Sequence, residues 1–524
     1  MKNVEMISKI CFLLIITTLW SCEDYLKEEA LTEVTANFVY NTEEGLQAAV
    51  VGLYDINRSI YDDGRHEWFA TLMLPVKSDL AVSRAGVISL FAVMNWGVDA
   101  HDYQASLLAI FWRHHYRVVD RANAIIKAAE SLESLNPGVR DQVISEAKFF
   151  RAHSYFTLYR MFQNIFISTE PTTPDNAFER VQNSSTEEEI FALINADLSF
   201  SSEHLDWVAA QPGRVTQATA RHLKAKVAMW EENWPEAAAQ AEMVINSGDY
   251  NLLSDINRVF NSDGNHEESL WTIQFAEGVA GGGSRTMVNW NHIPNYAKVP
   301  GAKYSAQQGG MGAGFVLPNN YLLSLFGEDD LRVKDNYFRL YFTYNDPDNL
   351  PEGVQLGDTI DIYKPTGETQ SKYYEQIHPA CIKFVPPGDF DVNSATQYKN
   401  YMKFRLAETY LIASEAYMRL NGDSDARALQ YINAIRQRAG IEELNAVNQQ
   451  IILEERAREL AFEGHRWFTL KRMGVLVSQI QAHAGDDGFQ DQARSKMEPK
   501  YVNLPIPQAE LDLLGPNYPQ NEGY

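Results

Sequence analysis

The chain has 524 residues, 45% hydrophobic content and a formal net charge of −24 at neutral pH. So large an apolar share supports an extensive core and excludes disorder as the general state. The acidic balance argues against a nucleic-acid partner, because phosphate binding needs clustered Lys and Arg. Of three cysteines, Cys11 lies in the leader and Cys22 at its end, so Cys381 stands alone. The folded part therefore offers neither a disulfide framework nor a CxxC metal pair, and Cys381 reads as a small buried apolar residue.

Residues 1–21 read as a secretory leader. Lys2 and Lys9 give it a positive start, and Ile10 to Leu19 an apolar stretch. That stretch is about ten residues long, half of the roughly 20 needed to span a bilayer. It ends Leu19-Trp20-Ser21-Cys22, which resembles a bacterial lipobox, with Trp20 where a small residue is usual. The resemblance makes Cys22 the lipidated first residue of the mature chain, anchored by several acyl chains.

A first helix is expected from Thr42 to Asn57, capped by Thr42, with Leu46, Val50 and Leu53 along one side. From 58 to 106 the helical period breaks up, in a segment carrying Trp68, Asp79, Arg84 and Trp96. It returns at Leu107 and runs through Trp112, Tyr116, Val119 and Asn123. Arg140 to Asn164 is a strong helix with Ala147, Phe150, Ser154 and Leu158 in one stripe. Ser184-Ser185-Thr186 caps another that begins at Glu187. Thr216 to Ile245 reads as a helical hairpin turning at Asn233-Trp234-Pro235, similar to a tetratricopeptide unit. Tyr401 to Gly440 repeats that plan around Asn421-Gly422-Asp423.

Two hairpins so far apart suggest a helical-pair scaffold interrupted by an insertion, Asp249 to Lys399. The insertion holds a strand at Leu270–Phe275, a glycine-rich run at Gly278–Gly283, and then Trp290, Asn291, Tyr296 and Tyr304. The chain divides into a leader (1–21), an N-terminal region (22–246) and a C-terminal region (247–524). The last contains the insertion (249–399), further scaffold (400–475) and a tail.

Near the end, Ile451 to Met473 reads as one helix. Leu453, Ala457, Leu460, Gly464 and Trp467 form its buried stripe, and Arg456, Glu459, Glu463 and Arg466 a solvated charged row. Gly464 inside the pattern suggests close approach of another backbone.

Few positions carry chemistry. Gly281-Gly282-Gly283 lacks the lysine and Ser/Thr of a phosphate loop. Asp346, Asp348 and Asp358 lack the alternation of a calcium loop, so structural calcium is unsupported and no cofactor is expected. His114 and His115 point about 100° apart on a helix and chelate poorly together. No GxSxG, HExxH or Cys/His arrangement occurs, so no catalytic or metal-binding residue is assigned. The remaining candidates are Trp68, Trp96, Trp290, Tyr296 and Tyr304, whose rings can stack on a sugar face. Asp79, Arg84 and Asn291 are placed to take its hydroxyls.

Five stretches now converge. EAKFFRAHSYFTLYRMF, the hairpin GRVTQATARHLKAKVAMWEENWPEAAAQAEMVI, FRLAETYLIASEAYMRL with AIRQRAG, ERARELAFEGHRWFTLKRMG, and the ending YVNLPIPQAELDLLGPNYPQNEGY each resemble the SusD/RagB family, in its order. The resemblance implies a mainly α fold: four tetratricopeptide-like helical pairs in an α-α superhelix, supporting a loop-rich ligand lobe with a few short strands. It also implies an outer-membrane, surface-exposed lipoprotein, not an enzyme. Such a protein binds a nutrient, usually a glycan, and sits on a SusC-like TonB-dependent transporter. It implies no ligand residues. Peptide binding in the same system and glycoside hydrolysis are the competing readings.

Overall fold

Short polar side chains set where the main helices begin. A helix leaves its first backbone N–H groups without internal partners, and a preceding Thr, Asn or Asp oxygen satisfies one or two of them. Thr42 accepts from the Gly45 N–H at 3.0 Å and opens α1 (Glu43–Ser59). Asn136 with Pro137 opens α3 (Pro137–Phe162), which follows α2 (Tyr103–Ser131). Thr186 and Glu189 form a reciprocal capping box at α4 (Glu187–His204). Thr216 and Asn233 open α5 (Gln217–Trp230) and α6 (Trp234–Ile245). Asp425 opens α8 (Ala426–Arg438), the partner of α7 (Leu406–Asn421).

The computed structural model describes residues 36–62, 74–83, 103–361 and 370–524. The leader with its lipobox and Cys22 lies outside them, as do Trp68, Arg84 and Trp96.

The helices follow one another in space as in sequence: α1 packs on α2, α2 on α3, and so on through α6. The array continues from α6 directly to α7, although the whole insertion separates them in sequence. Small residues make that junction close. Ala225, Ala237, Ala238 and Ala241 of α5 and α6 meet Ala407, Ala413 and Ala416 of α7 in one buried cluster. The fold is thus mainly helical, an array of helical pairs, as the sequence implied.

The insertion leaves and re-enters the scaffold side by side. β2 (Ser269–Ile273) pairs antiparallel with β6 (Tyr401–Arg405), which runs straight into α7. Residues 401–405 were expected inside a helix, but Tyr401, Lys403 and Arg405 alternate with buried Met402 and Phe404, the period of a strand. The other strands among the described residues are two-residue pairs. β1 (Ala81–Val82) pairs with β3 (Leu317–Pro318), and β4 (Phe338–Arg339) with β5 (Ala380–Cys381). Two apolar clusters sit inside the insertion, one around Tyr337, Phe338 and Cys381, the other around Tyr296 and Phe342. Burial pushes the Cys381 thiol up to about 12, so it stays protonated and inert.

The stretch expected as a single helix from Ile451 to Met473 is two. α9 ends at Leu460 and α10 begins at Arg466. Between them Phe462 and Gly464 take positive φ, +68° and +82°. Nothing lies within 4 Å of a Cβ built on Gly464, so the glycine serves the left-handed turn and not a close approach. Basic side chains reach the freed carbonyls of α9. Lys383 donates to Glu459 O at 2.7 Å and Ala461 O at 3.1 Å, and Arg405 donates to Glu459 O at 2.7 Å.

The charged row is not solvated. Arg456, Glu459, Glu463 and Arg466 are all buried, because their partners come from the insertion, β6, α7, α8 and the segment before β1. Glu459 accepts from Arg405 at 2.6 Å, from Arg438 and from Arg332. Glu463 accepts from Lys383 and Arg405, both at 2.6 Å. Glu268 accepts from Arg405 and Arg438. Glu455 holds Arg332, Arg436 and Arg458, and Asp330 completes Arg332. Burial alone raises a carboxyl pKa. Here Arg332, Arg458 and Arg436 pull Glu455 down to about 2 instead, and Arg438, Arg405 and Arg332 hold Glu459 far below its ordinary range.

Candidate functional site

The insertion carries the described members of the expected aromatic set, and the fold treats them unequally. Trp290 sits on the short helix Val288–His292. Its carbonyl accepts from the Ala313 N–H at 2.8 Å, and its indole stands edge-on to Phe315 with centroids 5.0 Å apart. One side of the ring therefore rests on the Tyr337–Phe338 cluster, while the residue stays half-exposed. A large ring fixed by its neighbours and still partly exposed costs little conformational entropy when a ligand stacks on it.

The neighbours of Trp290 are unusually poor in hydrogen bonds. Asn289 donates to Gly309 O at 2.9 Å, but its Oδ1 has no partner. Asn291 Oδ1 and His292 Nε2 are likewise buried and unpartnered. His292 Nδ1 contacts Val288 O, and its ring lies against Phe384 and Phe462. Burial lowers the His292 pKa to about 4, so the ring is neutral at pH 7. Unsatisfied buried polar atoms cost about 1–3 kcal/mol each.

The other expected residues have structural work. Tyr296 has no exposure: it stacks on Phe342 at 4.9 Å, and its hydroxyl accepts from the Ser305 N–H at 2.9 Å. It is core. Asn291 is 1% exposed and presents no surface to a ligand. Tyr304 is half-buried and spends its hydroxyl on Asn295 Oδ1. Asp79 is 0% exposed, with both oxygens taken by Arg466 at 2.8 and 2.6 Å. This pair ties the segment before β1 to α10, so Asp79 holds scaffold together instead of meeting sugar hydroxyls. His114 and His115 stand edge-on with centroids 5.0 Å apart. Among the described residues no group of three or more His, Cys, Asp or Glu is arranged to hold a metal ion.

A broad cleft of about 730 Å³, passed over in the sequence, lies between α2, the loop after α3 and residues 510–514. Tyr116 and Phe166 stack there at 4.4 Å. Its polar groups are largely committed to fastening the loop. Tyr116 Oη exchanges hydrogen bonds with the Phe166 backbone, Asn123 donates to Ser168 O and Glu170 O, and Asp120 accepts from the Thr172 N–H. The cleft reads as a braced loop.

Comparison with known proteins places this geometry. A family model described as the SusD family matches residues 267–524, and one described as starch-binding associating with outer membrane matches residues 24–228. SusD-like protein P25 of Formosa agariphila is 27% identical over 541 residues, covering 96% of either chain. Among solved structures, a laminarin binding SusD-like protein superposes with a TM-score of 0.70 at 23% identity, covering 92% of this chain and all of that one. Surface glycan-binding protein A from Bacteroides uniformis gives 0.71 at 23% identity, covering 92% and 99%. These structural likenesses are likenesses of fold.

Proposed function

This chain belongs to the SusD family, and from that premise we propose that it binds a glycan at the cell surface and passes it to a SusC-like TonB-dependent transporter. The role is binding without catalysis. The outer-membrane description of one matching family model and the glycan ligands named for two fold neighbours support it. So does the leader ending at Cys22, read as a lipid anchor. The observation that carries the reading is Trp290: a large, partly exposed ring set edge-on against Phe315, on an insertion braced by the scaffold. Trp68, Trp96 and Arg84, outside the described residues, remain candidates from the sequence.

The test is binding of the mature protein to a panel of oligosaccharides and peptides by calorimetry. A glycan is expected to bind, and Trp290→Ala to weaken it by about 1–3 kcal/mol, the range measured for base–aromatic stacking. Unchanged affinity in Trp290→Ala removes that ring from the site. Binding confined to the peptides replaces the glycan with a peptide ligand. Release of shorter products from any glycan overturns the non-catalytic role.

A further inference from the structure

Inside the N-terminal scaffold lies a cavity of about 80 Å³ that shares no lining residue with the Trp290 helix. Its walls come from the end of α1, from α2 and α3, from β6 and from α10. Arg160 and Lys403 bring positive charge to it, and no carboxylate lines it among the described residues.

Neither cation has an ion-pair partner among the described residues. The Arg160 guanidinium is held between the Phe156 and Phe468 rings, 4.0 Å from each centroid. Its Nε donates to Phe156 O at 3.1 Å and one Nη to Thr157 Oγ1 at 3.4 Å, which leaves Nη1 without an acceptor among the described residues. Lys403 Nζ lies 5.6 Å from the Tyr61 ring centroid and makes no hydrogen bond there. The nearest acid acting on both is Glu408. It is already taken by Lys226 at 2.8 Å, by His222 and Arg456 at 3.1 Å, and by His465 at 3.5 Å.

The rest of the lining is poised to donate. His114 Nε2 and His153 Nδ1 are buried and unpartnered, and each can carry a proton toward the cavity. The Tyr61 and Tyr401 rings meet at 4.7 Å, and neither hydroxyl has a protein partner among the described residues. His115 is also present, facing Ser154 at 3.3 Å.

Buried charges are ordinarily paired, and this protein observes the rule elsewhere. Arg332, Arg405, Arg438 and Arg466 each face a carboxylate, while Lys399 and Lys471 are met by backbone carbonyls or an amide. A cavity with buried Arg160, partly buried Lys403, several donors and no acid among the described residues suits negative charge. We propose that it binds one small oxyanion of sulfate or phosphate type, between Arg160 and Lys403. A halide satisfies one donor direction at a time, whereas these donors surround the cavity from several elements, which favours a group with several acceptor oxygens. The volume suits one such group, not a sugar ring. The oxyanion arrives either free or as a substituent of a larger molecule.

The experiment is equilibrium dialysis of the intact mature protein against radiolabelled sulfate, with phosphate and glucose 6-sulfate as competitors. One saturable sulfate per chain is expected. Lys403→Gln should weaken it by about tenfold or more, a difference of about 1.4 kcal/mol. Arg180→Gln, at an exposed position, should bind like wild type. Tyr61→Phe, which keeps the ring and removes the hydroxyl, gives a second reading if Lys403→Gln folds poorly by circular dichroism. Displacement by phosphate alone identifies a free inorganic ion, and displacement by glucose 6-sulfate as well identifies a substituent that can enter. Absence of saturable binding, or equal binding by wild type and Lys403→Gln, overturns the proposal. None of these readouts uses a glycan polymer, so the outcome is independent of the reading at Trp290.

Discussion

Two groups of basic side chains lie in the interior, and their surroundings differ. Around Glu459, the cations Arg332, Lys383, Arg405 and Arg438 are interleaved with Glu268, Asp330, Glu455 and Glu463, and nearly every charged atom has an opposite within hydrogen-bond distance. Around Arg160 and Lys403 the walls are aromatic rings and imidazoles. The first arrangement is closed; it gains rigidity and position at a desolvation cost that the pairing offsets. The second stays open. The contrast teaches that burial of charge by itself says little, and that the pairing decides whether a cluster is a joint or a receptor.

The strongest way to break the contrast is to make the closed cluster resemble the open one. Glu459→Gln removes the carboxylate that Arg405, Arg438 and Arg332 share, and it should lower stability by about 3–5 kcal/mol, read from urea denaturation. A loss below about 1 kcal/mol would mean that the cluster is loosely coupled. Acid should act through the same groups. Glu455 and Glu459 have depressed folded-state pKa values, so their contribution is complete above the unfolded value of about 4.3. It fades as pH falls toward the folded value, about 2 for Glu455. The denaturation midpoint should therefore drop steeply between about pH 4.3 and pH 2, and much less in Glu459→Gln.

The open cluster predicts the opposite sign. Lys403→Met removes an unpaired cation and should raise stability by about 1–2 kcal/mol in buffer free of oxyanions. Burial lowers the Lys403 pKa to about 8, against an ordinary value of about 10.4. The folded protein therefore gives up this proton first, and stability should rise as pH climbs from about 8 to about 10.4. Lys226, Lys399 and Lys471, each lowered by burial to about 7, push the same way. The wild-type curve minus that of Lys403→Met isolates this one group. The smallest effect belongs to the turn that delivers Glu463 to the closed cluster. Gly464→Ala places a side chain at φ +82° and should cost about 1–2 kcal/mol with the cluster otherwise intact.

Much of the scaffold was legible because its signals are local. Thr42 and Thr186 cap the helices they were expected to cap, Asn233 falls at the expected turn, and the Leu46–Val50–Leu53 stripe is buried as its spacing required. The interrupted hairpin plan was legible too, since α6 and α7 carry matching runs of alanine. The row from Arg456 to Arg466 misled, because i,i+3 and i,i+4 charges look alike whether solvent or Arg332 and Lys383 faces them. Those partners lie far away in sequence, and periodicity holds no trace of them. Gly464 was read for the space it leaves when what it supplies is a left-handed turn. Within the expected site, Tyr296 and Asp79 looked free because they fall outside helical stripes, yet irregular segments have cores and ion pairs as well. Lys403 gave one faint signal: a lysine on the alternating strand YMKFR, flanked by buried Met402 and Phe404.

The neck formed by β2 and β6 gives this architecture the look of a detachable head, with both ends leaving at one place. The ion pairs say otherwise. Arg332 and Lys383 belong to the insertion, yet they neutralise Glu455, Glu459 and Glu463 on the far side of the joint. A graft that exchanges this lobe for another must bring an arginine and a lysine to those positions, or the recipient inherits stranded acids at its centre. Diversification of the outer loops is free to proceed, provided that these two basic residues travel with every replacement.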